Sequence, residues 1–194
     1  MSVPATPEQG DAPGRVHEAA TLIDRLVRDV PDFPSPGVLF KDITPLLADH
    51  DGFTTVVDAL AAAGRDESGR VVVDKVVGME ARGFILAAPV ALALGVGFVP
   101  VRKAGKLPGE TYVATYLLEY GHATLEVQRD GIGSGDRILL VDDVLATGGT
   151  ADATRQLVER CGGVVHALSV LIELSFLSGR QAVGDLPLRA LRTI

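Results

Sequence analysis

Ile138-Leu-Leu-Val-Asp-Asp-Val-Leu-Ala-Thr-Gly-Gly-Thr150 carries an apolar run into two adjacent carboxylates and then into a turn of small residues. A run that apolar belongs in the middle of a parallel sheet, covered on both faces, and such sheets bind ligands beyond the carboxyl ends of their strands. Asp142 and Asp143 stand at that end. Carboxylates accept hydrogen bonds, which suits vicinal ribose hydroxyls or a hydrated Mg²⁺. The turn formed by Ala146, Thr147, Gly148, Gly149 and Thr150 offers backbone N–H groups, two hydroxyls and the start of a helix to a phosphate. Alone, an acid pair merely ends a strand and a glycine pair merely turns the chain. Here strand, acid pair, small turn and helix follow in order, which points to a site that grips both ends of a sugar phosphate.

The rest of the chain fits a compact α/β protein. Its 194 residues suffice for one such domain with a real core and are too few for two comfortable ones. The 47% hydrophobic and 22% charged content is ordinary globular usage. A formal net charge of −7 argues against nucleic acid as a partner, since such a surface carries a basic stripe. One cysteine, Cys161, forms no intrachain disulfide, so a cytoplasmic location is expected. Residues 83–101 carry no charge over about the length of a membrane span, but Pro89, Gly95, Gly97 and Pro100 interrupt them. A buried helix over 83–94 and a core strand over 97–101 explain the stretch without a membrane. Residues 1–14 are polar and proline-rich with no apolar core, which reads as a disordered tail rather than a signal peptide; residues 15–194 read as a single domain.

Periodicity and punctuation place the remaining elements. Helical spacing over 17–30 stops at Pro31, and a second helix is expected over 53–63. Strands are expected at 75–79 and 97–103, with Glu80-Ala-Arg-Gly83 between the first of them and the buried helix. Residues 104–110 read as a mobile loop. Strands over 111–119 and 123–128 flank Tyr120-Gly121 as a hairpin, with Glu126 read as an exposed strand residue and His122 as solvated. A helix over 151–160 and a strand over 164–173 follow, so strand and helix alternate as in a mostly parallel sheet with helices on both faces.

Residues 32–47 have no clear period. Pro34, Pro36, Pro45 and Gly37 fix the path of this segment, so its backbone groups point in set directions and Phe40 offers either a stacking face or an ordinary aromatic plug. This segment resembles the N-terminal hood of the adenine phosphoribosyltransferase family. Four further stretches share the likeness: Gly78-Met-Glu-Ala-Arg-Gly-Phe84, Val101-Arg-Lys-Ala-Gly-Lys-Leu-Pro-Gly109, Leu118-Glu-Tyr-Gly-His-Ala-Thr-Leu-Glu-Val-Gln128 and the opening motif, which resembles the signature of the type I phosphoribosyltransferases. The match runs in order from about residue 22 to 179 and is poor beyond. The resemblance implies the type I fold, a central mostly parallel sheet flanked by helices with an N-terminal hood and an antiparallel hairpin.

The same resemblance implies adenine and phosphoribosyl pyrophosphate as substrates, Mg²⁺ carried chiefly on the substrate, and a homodimer. Leu39 and Lys41 would read the adenine edge through their backbone while Phe40 stacks on the ring. Lys41 stands where an arginine is frequent, a change that spares a backbone contact. Asp142, Asp143 and the turn from Ala146 to Thr150 would hold the sugar phosphate. Arg82, with Arg102, Lys103 and Lys106, would neutralise the diphosphate, and Glu119 would handle the proton leaving the base. A non-proline cis peptide is implied between Glu80 and Ala81. Two other readings stay open from the residues: transfer to another nucleobase, which the hood and Leu118-Glu-Tyr-Gly121 disfavour, and a non-catalytic sensor of the same sugar phosphate, for which no DNA-binding module is visible.

Overall fold

The computed structural model describes residues 12–117 and 122–194. The chain divides into two compact units, Met1–Thr55 and Val56–Ile194.

In the first unit, helix α1 (Ala12–Leu26) is followed by a two-stranded antiparallel ribbon of β1 (Arg28–Pro31) and β2 (Leu39–Asp42), then by α2 (Thr44–Ala48) and the start of α3 (His50–Ala61). The helix expected over 17–30 therefore ends early, and residues 28–31 leave it for a strand. Two cross-strand ion pairs show why: Arg28 meets Asp42 at 2.7 Å and Lys41 meets Asp29 at 2.6 Å. A non-local partner has overridden helical spacing. The ribbon's turn is closed by Asp32, which has φ +57° and accepts the Gly37 N–H at 2.8 Å, and by a cis Phe33–Pro34 bond.

The second unit is built on a seven-stranded sheet. Its strands are β3 (Lys75–Met79), β4 (Gly97–Lys103), β5 (Thr111–Leu117), β6 (His122–Gln128), β7 (Arg137–Leu145), β8 (Val164–Glu173) and β9 (Leu188–Thr193), in the order β5-β6-β4-β3-β7-β8-β9. From β4 to β9 the pairs are parallel, while β6 runs antiparallel to β4 and to β5. Two helices cover the middle. α5 (Gly149–Arg160) places Ala153, Leu157 and Val158 on one face, against Val77, Val99, Ile138, Leu140 and Leu168. α4 (Arg82–Leu94) covers the other, with Leu86, Ala87 and Val90 buried and Pro89 inside the helix. The uncharged stretch is thus a helix and a strand, and among the described residues no helix is long and apolar enough to cross a membrane.

Beyond residue 179 the structure adds two elements that the sequence left open, the short helix α6 (Gly179–Val183) and β9, which extends the parallel sheet. The expected tail at 1–14 lies largely outside the described residues, as do Glu119 and the Tyr120-Gly121 turn.

Strand order sets the position of the site. The chain passes from β3 to β4 on one side and from β7 to β8 on the other, so the connections diverge between β3 and β7. Loops leaving the carboxyl ends of two such strands open a crevice there, where open α/β sheets bind their ligands.

Candidate active site

The crevice is lined by the two segments that chemistry singled out. β7 delivers Asp142 and Asp143, and β3 leads into Glu80, Ala81 and Arg82, with a cis bond between Glu80 and Ala81. Arg82 spans the gap, its guanidinium 2.7 Å from Asp143 Oδ2. Asp142 Oδ1 accepts the Asp143 N–H at 2.9 Å. The following turn of the β3 segment presses close: a Cβ on Gly83 would lie 2.7 Å from Asp142 Oδ1, so only glycine lets α4 start where it does.

Burial governs the charges of the acid pair. Desolvation, then the neighbouring Asp143 charge, drives the Asp142 carboxyl well above its ordinary range, and Arg82 offsets only part of this. Asp143 is raised by burial as well, with Arg82 pulling in the opposite direction. Two buried carboxylates facing one guanidinium lack one positive charge, which favours a ligand bringing hydroxyl donors or a cation.

Ala146, Thr147, Gly148, Gly149 and Thr150 form the floor of a cleft that Asp142 also lines. Gly148 is the N-cap of α5 with φ +84°, and no side chain caps the helix, so the first N–H groups of α5 are presented without a competing cap. Thr150 is braced by the Tyr116 hydroxyl at 3.0 Å. Behind the loop stands α6, whose Gly179 approaches so closely that a Cβ there would lie 2.2 Å from the Ala146 carbonyl oxygen.

The cations sit on the β3–β4 side. Glu80 collects them: its Oε2 accepts the Lys103 N–H at 2.9 Å and Arg102 Nε at 3.3 Å, and its Oε1 meets Lys106 Nζ at 2.5 Å. Burial pushes the Glu80 carboxyl up, but the bonds and charges of Lys106, Lys103 and Arg102 prevail and hold it below its ordinary value. Arg102 also donates to the Lys106 carbonyl at 3.3 Å. The Lys103 side chain is exposed.

One expectation is corrected. Glu126 is not an exposed strand residue: it is 5% exposed, and its Oε1 accepts the N–H groups of Lys106 and Leu107, both at 2.8 Å. Alternation along β6 assigns Glu126 to the face opposite Leu125 and Val127, but loop 104–110 folds over that face and buries it. His122, by contrast, is exposed as expected.

In the first unit Leu39 is 49% exposed, Phe40 packs edge-on against Phe33 with centroids 5.0 Å apart, and the Lys41 ammonium is committed to Asp29. Reading the sequence alone missed Glu80, Tyr116, Glu126 and Gly179. The only local signal among them was Glu80, an acid at the mouth of an otherwise basic cluster.

Known proteins match both the chain and its shape. A family model described as a phosphoribosyl transferase domain matches residues 46–175. An adenine phosphoribosyltransferase of a Nocardioides species is 66% identical over 184 residues, covering 95% of this chain and 97% of that protein. One from Thermobifida fusca is 56% identical, covering 91% and 98%. The crystal structure of adenine phosphoribosyltransferase from Thermoanaerobacter pseudethanolicus superposes with TM-score 0.84 at 45% identity, covering 92% and 99%. That of the Saccharomyces cerevisiae enzyme, complexed with an imino-altritol bisphosphate and adenine, gives 0.85 at 40% identity, covering 90% and 99%.

Proposed function

Since the chain belongs to the adenine phosphoribosyltransferase family and transfers ribose 5-phosphate from phosphoribosyl pyrophosphate to adenine, we propose that the crevice between β3 and β7 is where the sugar breaks from its diphosphate. The observation that carries this reading is the Arg82–Asp143 bridge beside Asp142, which itself lines the cleft at the uncapped start of α5.

The chemistry follows from the charges. Carbon 1 of the ribose loses a highly charged leaving group through an oxocarbenium-like state, so the protein must hold the sugar still and neutralise the departing diphosphate. Asp142 and Asp143 accept from the vicinal hydroxyls. The 5-phosphate lies on the N–H groups and hydroxyls of Ala146 to Thr150. Arg82, Arg102, Lys103 and Lys106 face the diphosphate, and Glu119 takes up the proton that adenine sheds as it attacks. Leu39 and Lys41 read the adenine edge and Phe40 stacks on it.

Mg²⁺ is the expected cofactor. The buried acid pair is a hard-oxygen donor set suited to it, and no group of three or more candidate ligands exists among the described residues, so substrate oxygens and water would complete its shell. When bound, the ion would supply charge neutralisation at the diphosphate. The chain works as a homodimer in the cytoplasm on this reading. In support, Ile85 and Leu92, 45% and 82% exposed, lie two turns apart on one face of α4 as an apolar stripe. Light scattering would return twice the mass of the 20.3 kDa chain.

Selectivity tests the base-reading role. A fixed acceptor facing the 6-amino group loses its partner when hypoxanthine presents a 6-oxo group, at about 1–3 kcal/mol per buried unsatisfied group. Adenine should therefore exceed hypoxanthine, guanine and xanthine in kcat/KM by at least about tenfold. Comparable values for hypoxanthine would defeat the reading.

A further inference from the structure

Lys106 is held at both ends by buried carboxylates. Glu126 fixes its backbone, and Glu80 holds its ammonium at 2.5 Å. The two partners of that ion pair differ in freedom: the Glu80 side chain is 6% exposed and the Lys106 side chain 47%. The donors on Glu80 are also unequal. Oε2 receives Arg102 Nε and the Lys103 backbone N–H, both from β4, whereas Oε1 receives the tip of a flexible side chain from the loop. Three converging donors of this kind match what a diphosphate oxygen would ask for.

We propose that Glu80 is a positioning residue that stands in for the diphosphate, holding Lys106 beside Arg102 until the substrate takes the ammonium over. The proposal rests on the diphosphate role given above to Arg82, Arg102 and Lys106. The exchange is physically cheap. A lysine is a compact point charge on a long stem and swings readily, while Oε2 keeps its two fixed donors, so Glu80 is not left as an unpartnered buried charge. A diphosphate must nevertheless displace a carboxylate before it gains Lys106, so Glu80 weakens diphosphate binding and favours its departure after transfer.

Glu80→Gln tests this directly. The amide oxygen still accepts from Lys103 and Arg102, but its NH₂ then faces Lys106 and cannot hold an ammonium. Calorimetric titration with inorganic pyrophosphate and Mg²⁺ should give a Kd about three- to fivefold lower than wild type, the range of a half-exposed ion pair. In Glu80→Gln combined with Lys106→Met that gain should vanish relative to Lys106→Met alone. Unchanged or weaker binding by Glu80→Gln, or a gain that persists without Lys106, overturns the proposal, the latter because it would report general repulsion. Wild-type protein gives a second readout independent of any variant's folding. On saturation with pyrophosphate the ¹³C carboxyl resonance of Glu80 and the ¹⁵N ammonium resonance of Lys106 should move together, and a static Glu80 signal would refute the exchange. Wild-type protein that fails to bind pyrophosphate would instead sink the diphosphate reading itself, and this proposal with it.

Discussion

Gly179 touches no substrate in the reading above, yet replacing it with alanine should damage the use of phosphoribosyl pyrophosphate. A Cβ on Gly179 would sit 2.2 Å from the Ala146 oxygen, and real Cβ contacts stay above 3.0 Å, so the two backbones must separate by at least 3.0 − 2.2 = 0.8 Å. The contact is backbone against backbone, and no rotamer relieves it. Gly148 meets the same wall from the other side, where an added Cβ would lie 2.6 Å from the Gly179 oxygen. Gly179 is not among the residues of positive φ, so alanine itself is not strained there. Within a helix alanine is even favoured over glycine, by about 1 kcal/mol. Overpacking costs about 1–3 kcal/mol, so the net loss should reach up to about 2 kcal/mol, or up to about 8 °C in Tm for a chain of this size. A shift of order 1 Å in a positioning loop costs roughly 10²-fold in rate, and shared between loop and α6 it should lower kcat/KM for phosphoribosyl pyrophosphate by about tenfold or more. Initial rates of AMP formation, with phosphoribosyl pyrophosphate varied at saturating adenine and then the reverse, separate the two substrates; the KM for adenine should hold. A Gly179→Ala protein with raised Tm and wild-type kcat/KM for the sugar phosphate would refute the buttress.

Asp142→Asn should stabilise the protein at neutral pH while sharply reducing its use of phosphoribosyl pyrophosphate, because the folded carboxyl is raised by burial and by Asp143. A raised carboxyl binds its proton more tightly in the folded state, so its destabilisation is present above the folded pKa and fades as pH falls toward the unfolded value of 3.8. The Tm advantage of the variant should thus be largest at pH 7–8 and shrink toward about pH 4; a constant advantage would contradict the assignment. Deleting Lys106 through Pro108 should lower Tm as well as kcat, because it removes the two N–H groups that the buried Glu126 carboxylate accepts, at about 1–3 kcal/mol per unsatisfied group; a deletion variant with wild-type Tm would contradict that anchoring.

The central sheet was legible because burial writes itself into composition. Ile138 to Val141 are fully buried, and four apolar residues in a row on a strand leave no solvent face to misread. The hairpin's Glu126 was not legible, because alternation tells which face a residue takes and not whether a loop twenty residues away covers it. Residues 28–31 failed for a related reason: helical spacing is a local signal, and the ion pairs to Asp42 and Lys41 that claim them come from across a turn. Asp142, Asp143 and Arg82 were readable as chemistry in motifs, but their meeting depends on β3 and β7 being neighbours, a fact of strand order that no single segment contains. Gly179 had no readable signal, since a close backbone approach leaves only a glycine among many.

The pairing of charges within the site bears on what it admits. Arg82 is matched by Asp143, and Lys106 and Arg102 by Glu80. A simple phosphate that captured Arg82 would leave Asp143 a buried carboxylate without its counter-charge, a change that costs several kcal/mol and returns most of the gain. On the proposed reading, phosphoribosyl pyrophosphate with Mg²⁺ brings both halves of the exchange, anionic oxygens for Arg82 and Lys106 and hydroxyls plus a cation for Asp143, while Glu80 keeps Arg102 and the Lys103 N–H. Internal pairing would thus make the site answer to a ligand that carries diphosphate and ribose hydroxyls together and would disfavour anions that carry only one. The same reading is compatible with a net charge of −7: if the local cations are presented by buried carboxylates and exchanged, no excess of positive charge is required to draw the ligand in.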